Sequence, residues 1–287
     1  MPMFIRMPVR ISARISVLVA LLLIVVSCSE SDDANFQGPN LPTGPGTVFS
    51  VQTVSFTTSD NVLVSARFGK GSNSAASPVV ILMHDITRDG REWELVGLEM
   101  MQRLLEEGYL VLIIDSRGHG LTPLPADGRP AQSLSVFDIE SLHLEVSAAL
   151  NWVATQPAAD RSRVGIMGVG MGGNAAYVSM GVFPDDLKTG IALSPGIFNL
   201  NTGEALGIGT AITPFEPHTM LFIASQNDLL PVNQTQSTSA TAIAASMLDV
   251  TAEPKRLDAR PANLHGSLLL QDPDVFDAVL VWLETHL

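Results

Sequence analysis

The sequence predicts an α/β domain built on a doubly wound, mostly parallel sheet. Three observations carry this expectation. Five short apolar runs, "PVVILMH" (78–84), "YLVLIID" (109–115), "RVGIMGV" (163–169), "TGIALS" (189–194) and "TMLFIAS" (219–225), have the length and continuity of strands buried on both faces. Segments with helical spacing separate most of them, and strands alternating with helices imply right-handed crossovers in one parallel sheet. The chain is 287 residues long and 46% hydrophobic, enough for one large core without a second domain.

The first 27 residues stand apart from that domain. Arg6, Arg10 and Arg14 form a basic stretch, and Ile15 to Val26 is apolar except for Ser16. This run is short for a membrane span and has the length of a signal-peptide core. It ends in "VVSC" (25–28), which resembles a bacterial lipoprotein lipobox, and Cys28 is the chain's single cysteine. The resemblance implies cleavage before Cys28, lipidation of its thiol and attachment to the membrane by acyl chains. Ser29 in the next position implies an outer-membrane destination, with the domain facing the periplasm. Removing the leader takes away three arginines and no acid, so the formal charge falls from −13 to −16 (13 basic against 29 acidic residues). That charge opposes binding to nucleic acid or to anionic headgroups.

Residues 28–47, rich in Gly, Pro and polar side chains, read as a flexible tether, and 48–287 as the folded domain. At its start, "VFSVQTVSFTTSDNVLVSARFG" alternates apolar and polar residues around "SDN", the pattern of an antiparallel strand pair. The run 78–84 is a central strand. Glu92 to Glu107 carries Leu95, Leu98, Met101, Leu104 and Leu105 at helical spacing. After the strand 109–115, Ile139 to Thr155 reads as a helix stopped by Pro157. The strand 163–169 leads into a helix over Gly172–Met180. Beyond the strands 189–194 and 219–225 come a helix over Thr235–Leu248, a short strand near Asp249–Leu257 and a terminal helix over Pro273–His286. The segment from Pro195 to Pro217 is too short for a large cap, so any lid is small.

Ligands of such sheets sit beyond the carboxyl ends of the strands. His84, Asp115, Gly170, Ser194, Asp228 and His265 fall there. The stretch "VGIMGVGMGGNAAY" (164–177) admits two readings. Gly168, Gly170 and Gly173 fit G-x-G-x-x-G, a phosphate-cradling turn. Gly168, Gly170 and Gly172 fit the nucleophile elbow G-x-S-x-G with glycine in the serine's place. The phosphate reading fails on context: the fingerprint belongs to the first strand–helix unit, and no acid ends the next strand, which closes on Ser194. The elbow reading gains from order. An acid, Asp228 in "SQNDLLPV", and then a histidine, His265 in "NLHGS", follow in the loops where the partners of an elbow nucleophile belong.

On these residues the chain resembles the α/β-hydrolases, nearest to their bacterial dienelactone-hydrolase-like and esterase-like branch, over about Val51 to Leu287. "VVILMHDITRDGREW" resembles the strand and oxyanion loop that usually read "LLHG", "GYLVLIIDSRGHG" the D-x-R-G-H-G segment, and "RSRVGIMGVGMGGNAA" the elbow. The resemblance implies an eight-stranded sheet with a minimal cap and hydrolysis of ester, thioester or similar acyl bonds without a cofactor. It implies backbone N–H groups of Ile86 and Met171 as the oxyanion hole, and His265 as a base oriented by Asp228.

Two departures matter. Gly170 cannot form an acyl-enzyme, although glycine tolerates the positive φ of an elbow, so the turn is expected to survive. Asp85 replaces the usual glycine after the histidine, and an acid there opposes a developing oxyanion unless it points away. Three possibilities remain open: a pseudo-hydrolase that binds a ligand or a protein partner; an Asp228–His265 dyad that activates water or abstracts a substrate proton; or a substitute hydroxyl from Ser116, Ser194 or Ser267. Ser194 is expected to shape a strand end, and His84 and His119 to be structural. His143 falls in a helix and His218 in a turn. No cluster of His, Cys and carboxylates has metal-ligand spacing. A serine restored at 170 is expected to cost a little stability and to return some esterase activity.

Overall fold

The computed structural model describes residues 49–71, 76–122, 134–196, 215–231 and 237–287. The segments 1–27 and 28–47, with Cys28, and most of the Pro195–Pro217 segment lie outside the described residues.

The chain opens with a hairpin, β1 (Ser50–Thr57) and β2 (Leu63–Lys70), paired antiparallel from Ser50↔Lys70 to Thr57↔Leu63. Its turn is closed by the Thr58 N–H, which donates to the Val62 carbonyl at 3.0 Å, and by Asn61 at φ 65°. The parallel strands follow: β3 (Ser77–Met83), β4 (Leu110–Ile114), β5 (Ala159–Val169), β6 (Thr189–Leu193) and β7 (His218–Ser225). After β8 (Leu229–Pro231) and β9 (Ser237–Ser239), which form a small separate ribbon, β10 (Ala252–Arg260) completes the main sheet. The order β1-β2-β4-β3-β5-β6-β7-β10 makes an eight-stranded sheet in which β2 alone runs against the other strands. From β3 the chain runs outward to β4 and then returns to the other side with β5. That reversal opens a crevice at the carboxyl ends of β3 and β5.

Register brings the site's residues to one rim. Met83 pairs with Gly168, Gly168 with Ala192, and Ala192 with Phe222. The residues just beyond these positions therefore meet at one edge: Asp85 after β3, Gly170 after β5 and Ser194 after β6. Alternation along the buried strands divides the core by faces. Ile81, Ile166 and Phe222 pack on one side with α4 (His143–Val153), α5 (Met171–Val182) and α6 (Ala240–Val250). Leu82, Met167 and Leu221 pack on the other with α2 (Leu98–Glu106) and α7 (Pro273–His286).

Several elements differ from the sequence expectation. The helix expected over Glu92–Glu107 is two helices, α1 (Glu92–Leu95) and α2, because the backbone turns at Gly97, where a side chain would meet the Trp93 ring. The helix expected over 139–155 is likewise α3 (Val136–Glu140) and α4. The helix expected from Thr235 begins at Ala240. Residues 237–239 are used in the ribbon instead, and the Ser239 side chain caps α6 by accepting the Ala242 N–H at 3.1 Å. The last strand runs to Arg260, and a 3₁₀ turn (Gly266–Gln271), absent from the expectation, follows His265.

Candidate active site

The elbow is built by close backbone approach. Gly170 sits at φ 51° and ψ −114°, a conformation that only glycine adopts without strain, and its N–H donates to the Leu193 carbonyl at 2.9 Å. A Cβ on Gly168 would strike the Gly172 carbonyl, and one on Gly172 would lie 2.5 Å from the Met83 carbonyl oxygen. The three glycines therefore serve strand–turn–helix packing, as the elbow reading requires. The first residue of the helix, Met171, presents its N–H toward the rim.

Asp85 points into the site. Its Oδ1 accepts the Met171 N–H at 3.2 Å. A Cβ built on Gly170 would fall inside the van der Waals envelope of the same oxygen. Burial alone would push Asp85 up, but contact with His265 and the N–H groups of Ile86 and Met171 outweigh it and hold the carboxyl below its usual range. Of the two backbone donors expected to cradle a substrate oxyanion, the Met171 N–H is thus already taken by a protein carboxylate.

His265 lies between two acids. Its Nδ1 donates to Asp228 Oδ2 at 2.8 Å, and its Nε2 stands 3.6 Å from Asp85 Oδ2, an ion-pair distance longer than a hydrogen bond. The bond to Asp228, then the contact with Asp85, overcome burial and push its pKa up to about 10. At neutral pH it is an imidazolium and holds no lone pair for a proton. Asp228 is fixed from behind: its carbonyl accepts the Ala240 N–H at 2.9 Å, and the neighbouring Asn227 N–H reaches the Ala262 carbonyl at 3.1 Å.

Two further residues tie the loops together. The buried Glu92 accepts the Asp85 N–H on Oε2 at 2.9 Å and the Ser267 hydroxyl on Oε1 at 2.7 Å. Burial, against the pull of the Ser267 hydroxyl and the Asp85 N–H, raises its pKa. Ser194, at φ 46°, accepts the Gly266 N–H on its hydroxyl at 2.9 Å and so anchors the histidine loop. Sequence reasoning missed Glu92. An acid seven positions after Asp85 in a loop-to-helix segment has no local pattern that marks it.

The other candidates are placed as follows. Among the described residues, the Ser116, Ser194 and Ser267 hydroxyls form no hydrogen bond with His265; those of Ser194 and Ser267 are engaged as above, and Ser116 lies buried beside His84. His84 is fully buried; its Nε2 accepts the Ser116 N–H at 3.0 Å, so Nδ1 donates to the Asp85 carbonyl at 2.7 Å, and burial pushes its pKa down to about 4. His119 bridges the Ile86 and Arg117 carbonyls at 2.8 and 2.9 Å and braces the oxyanion loop. His143 opens α4, where its Nδ1 meets the Glu140 carbonyl at 2.9 Å, and His218 opens β7, at the opposite end of that strand from Ser225. The D-x-R-G-H-G segment is structural: Asp115 accepts the Gly90 N–H at 2.8 Å, and buried Arg117 pairs with Glu145 at 2.7 Å and Asp60 at 2.8 Å. Among the described residues no group of three His, Cys or acidic side chains is placed to hold a metal ion.

Comparison with known proteins agrees with this architecture. Residues 65–247 match the dienelactone hydrolase family. The fold is similar to that of an acetyl xylan esterase from Paenibacillus sp. R4 (18% identity, TM-score 0.64, covering 85% of this chain and 86% of that one). It is also similar to the Pyrococcus furiosus esterase Pf2001 (18%, 0.60, 83% and 93%). A dienelactone hydrolase from Anabaena variabilis aligns with 18% identity and TM-score 0.58, over 83% of this chain and 99% of that one. No curated protein matches the sequence.

Proposed function

The chain belongs to the dienelactone hydrolase family, and we propose that it is a lipid-anchored hydrolase that works at the family's site without an elbow nucleophile. The polar centre is Asp85–His265–Asp228. The single observation that supports this reading is the position of His265 between two carboxylates, 2.8 Å from Asp228 and 3.6 Å from Asp85, beside a positive-φ elbow whose side chain is gone. A site kept only as a relic has no need of an aligned acid, imidazole and oxyanion donor. Turnover of activated esters is slow, because no serine acyl-enzyme can form and the imidazole is protonated at neutral pH. The lipobox-like segment ending in Cys28, followed by Ser29, supports a lipid anchor at the outer membrane with the domain facing the periplasm.

A second reading, a pseudo-hydrolase that binds a small acyl ligand or a protein, is favoured by one specific observation: a protein carboxylate already fills the oxyanion hole. The two readings separate in one assay. Purified full-length protein is offered short p-nitrophenyl esters and thioesters beside His265→Ala. Slow turnover lost in the variant supports the hydrolase; turnover that survives the variant, or none at all, supports the binding module.

A further inference from the structure

We propose that Asp85 is a relocated nucleophile, supplied by the oxyanion loop in place of the elbow, and that its target is a saturated carbon carrying a halide leaving group. This deepens the hydrolase reading above and rests on it.

The geometry distinguishes the two oxygens of the carboxylate. Oδ1 lies in the oxyanion hole, 3.2 Å from the Met171 N–H, and occupies the space of the lost side chain at 170. Oδ2 faces His265 Nε2 at 3.6 Å and Thr87 Oγ1 at 3.5 Å. Oδ2 is thus the nucleophilic edge, held only by the long contacts with His265 and the Thr87 hydroxyl, and Oδ1 is already where a carbonyl oxygen must sit for a later acyl step.

That arrangement selects the electrophile. Attack on an ester carbonyl would need the oxyanion hole for the substrate's oxygen, and Asp85 itself fills it. It would also produce a mixed anhydride, less stable than the ester consumed. Attack on a saturated carbon needs no oxyanion hole and yields an ordinary ester. In the first step Oδ2 forms a bond to carbon as the carbon–halogen bond breaks, and the halide leaves with the electron pair. Asp85 is then neutral, and its contribution to holding the proton on His265 disappears. His265 loses that proton to solvent. In the second step a water molecule attacks Asp85 Cγ and passes a proton to Nε2. Negative charge develops on Oδ1, which the Met171 N–H already holds. Collapse expels the alkoxide, which takes the proton of the new carboxyl group, and His265 is again an imidazolium. The sum is R–X + H₂O → R–OH + X⁻ + H⁺. Alkylation of Asp85 therefore favours the base form of the histidine, while the Asp228 hydrogen bond, the larger cause of its raised pKa, remains.

The sequence makes the test clean. Asp85 is the only acidic side chain in the tryptic peptide from Gly71 to Arg88. Full-length protein, in excess over 1-bromobutane, is allowed a single turnover in ¹⁸O-water and then digested in ordinary water. The expected results are bromide release and one ¹⁸O in that peptide. In His265→Gln the second step stalls: the peptide carries a butyl ester, and steady-state bromide release falls by at least about 100-fold. Bromide release with no label and no butyl adduct overturns the covalent step and leaves the hydrolase reading intact. Absence of bromide release, with ester turnover that still depends on His265, overturns the halide assignment alone. Absence of both activities overturns both. The wild-type label needs no variant to fold.

Discussion

The Asp85 carboxylate stands in the place of the side chain that Gly170 lacks: its Oδ1 would overlap a Cβ at 170 and takes the Met171 N–H at 3.2 Å. The two departures noted in the sequence therefore meet in space. Gly170 follows β5 without a side chain, and Asp85, following the neighbouring strand β3, puts its carboxylate where that side chain would stand, Met83 being paired with Gly168. The polar group beside His265 comes from the loop after β3 and not from the elbow.

A serine restored at 170 alone is consequently costly, not mildly unfavourable. It must take φ near 51° and expel the Asp85 carboxylate from its donors. Backbone strain and overpacking together amount to about 2–6 kcal/mol. Urea titration of Gly170→Ser is expected to show a loss of this size, with no esterase activity. The double variant Asp85→Gly/Gly170→Ser recovers part of the stability and gains turnover of p-nitrophenyl acetate, because serine, histidine and an empty oxyanion hole are then present together. A single variant as stable as wild type would contradict the overlap.

Stability should depend on alkaline pH through His265. Its folded pKa of about 10 lies above the unfolded value near 6.5. Its contribution is thus fully present below pH 6.5 and is lost as pH rises toward 10. Asp85 is held below its usual range, so its contribution appears above about pH 4 and is lost on further acidification. Thermal melts are expected to decline above about pH 6.5 through His265, and the buried neutral His84, with a pKa pushed down to about 4, adds a separate loss as pH falls from 6.5 toward 4. Asp85→Asn makes the alkaline decline shallower, and an NMR titration of the His265 ring in that variant gives a pKa below about 10.

Much of the frame was legible in the sequence because buried parallel strands are continuous apolar runs: 78–84, 109–115 and 219–225 need no context to be read. The acid and histidine were legible through chain order. What stayed hidden depends on contacts between distant segments. The direction of the Asp85 side chain is set by Met171 and His265, 86 and 180 positions away. Glu92 is tied to Ser267 across 175 positions. The start of α6 was misplaced because residues 237–239 find a partner in 229–231, and local propensity cannot anticipate that pairing.

Ser194 positions the histidine loop through the Gly266 N–H, at 2.9 Å. Ser194→Ala leaves that buried donor unpaired and is expected to cost about 1–3 kcal/mol by chemical denaturation. It also lowers His265-dependent turnover while leaving the pKa of His265 raised, since Asp228 stays in place. A near-UV circular dichroism spectrum of Ser194→Ala separates loss of the hydrogen bond from loss of fold.

Ester hydrolysis by the Asp228–His265 pair, if water is activated directly, requires the neutral imidazole. With the histidine pKa near 10, the active fraction at pH 7 is about one part in a thousand. Log turnover is therefore expected to rise with a slope close to one from pH 7 to 9 and to level near 10. In Asp85→Asn the same profile shifts to lower pH, because one of the two carboxylates that hold the proton is gone, and activity at pH 7 increases. A flat profile, or a variant less active at every pH in a protein that remains folded, would show that His265 does not act as a base on water.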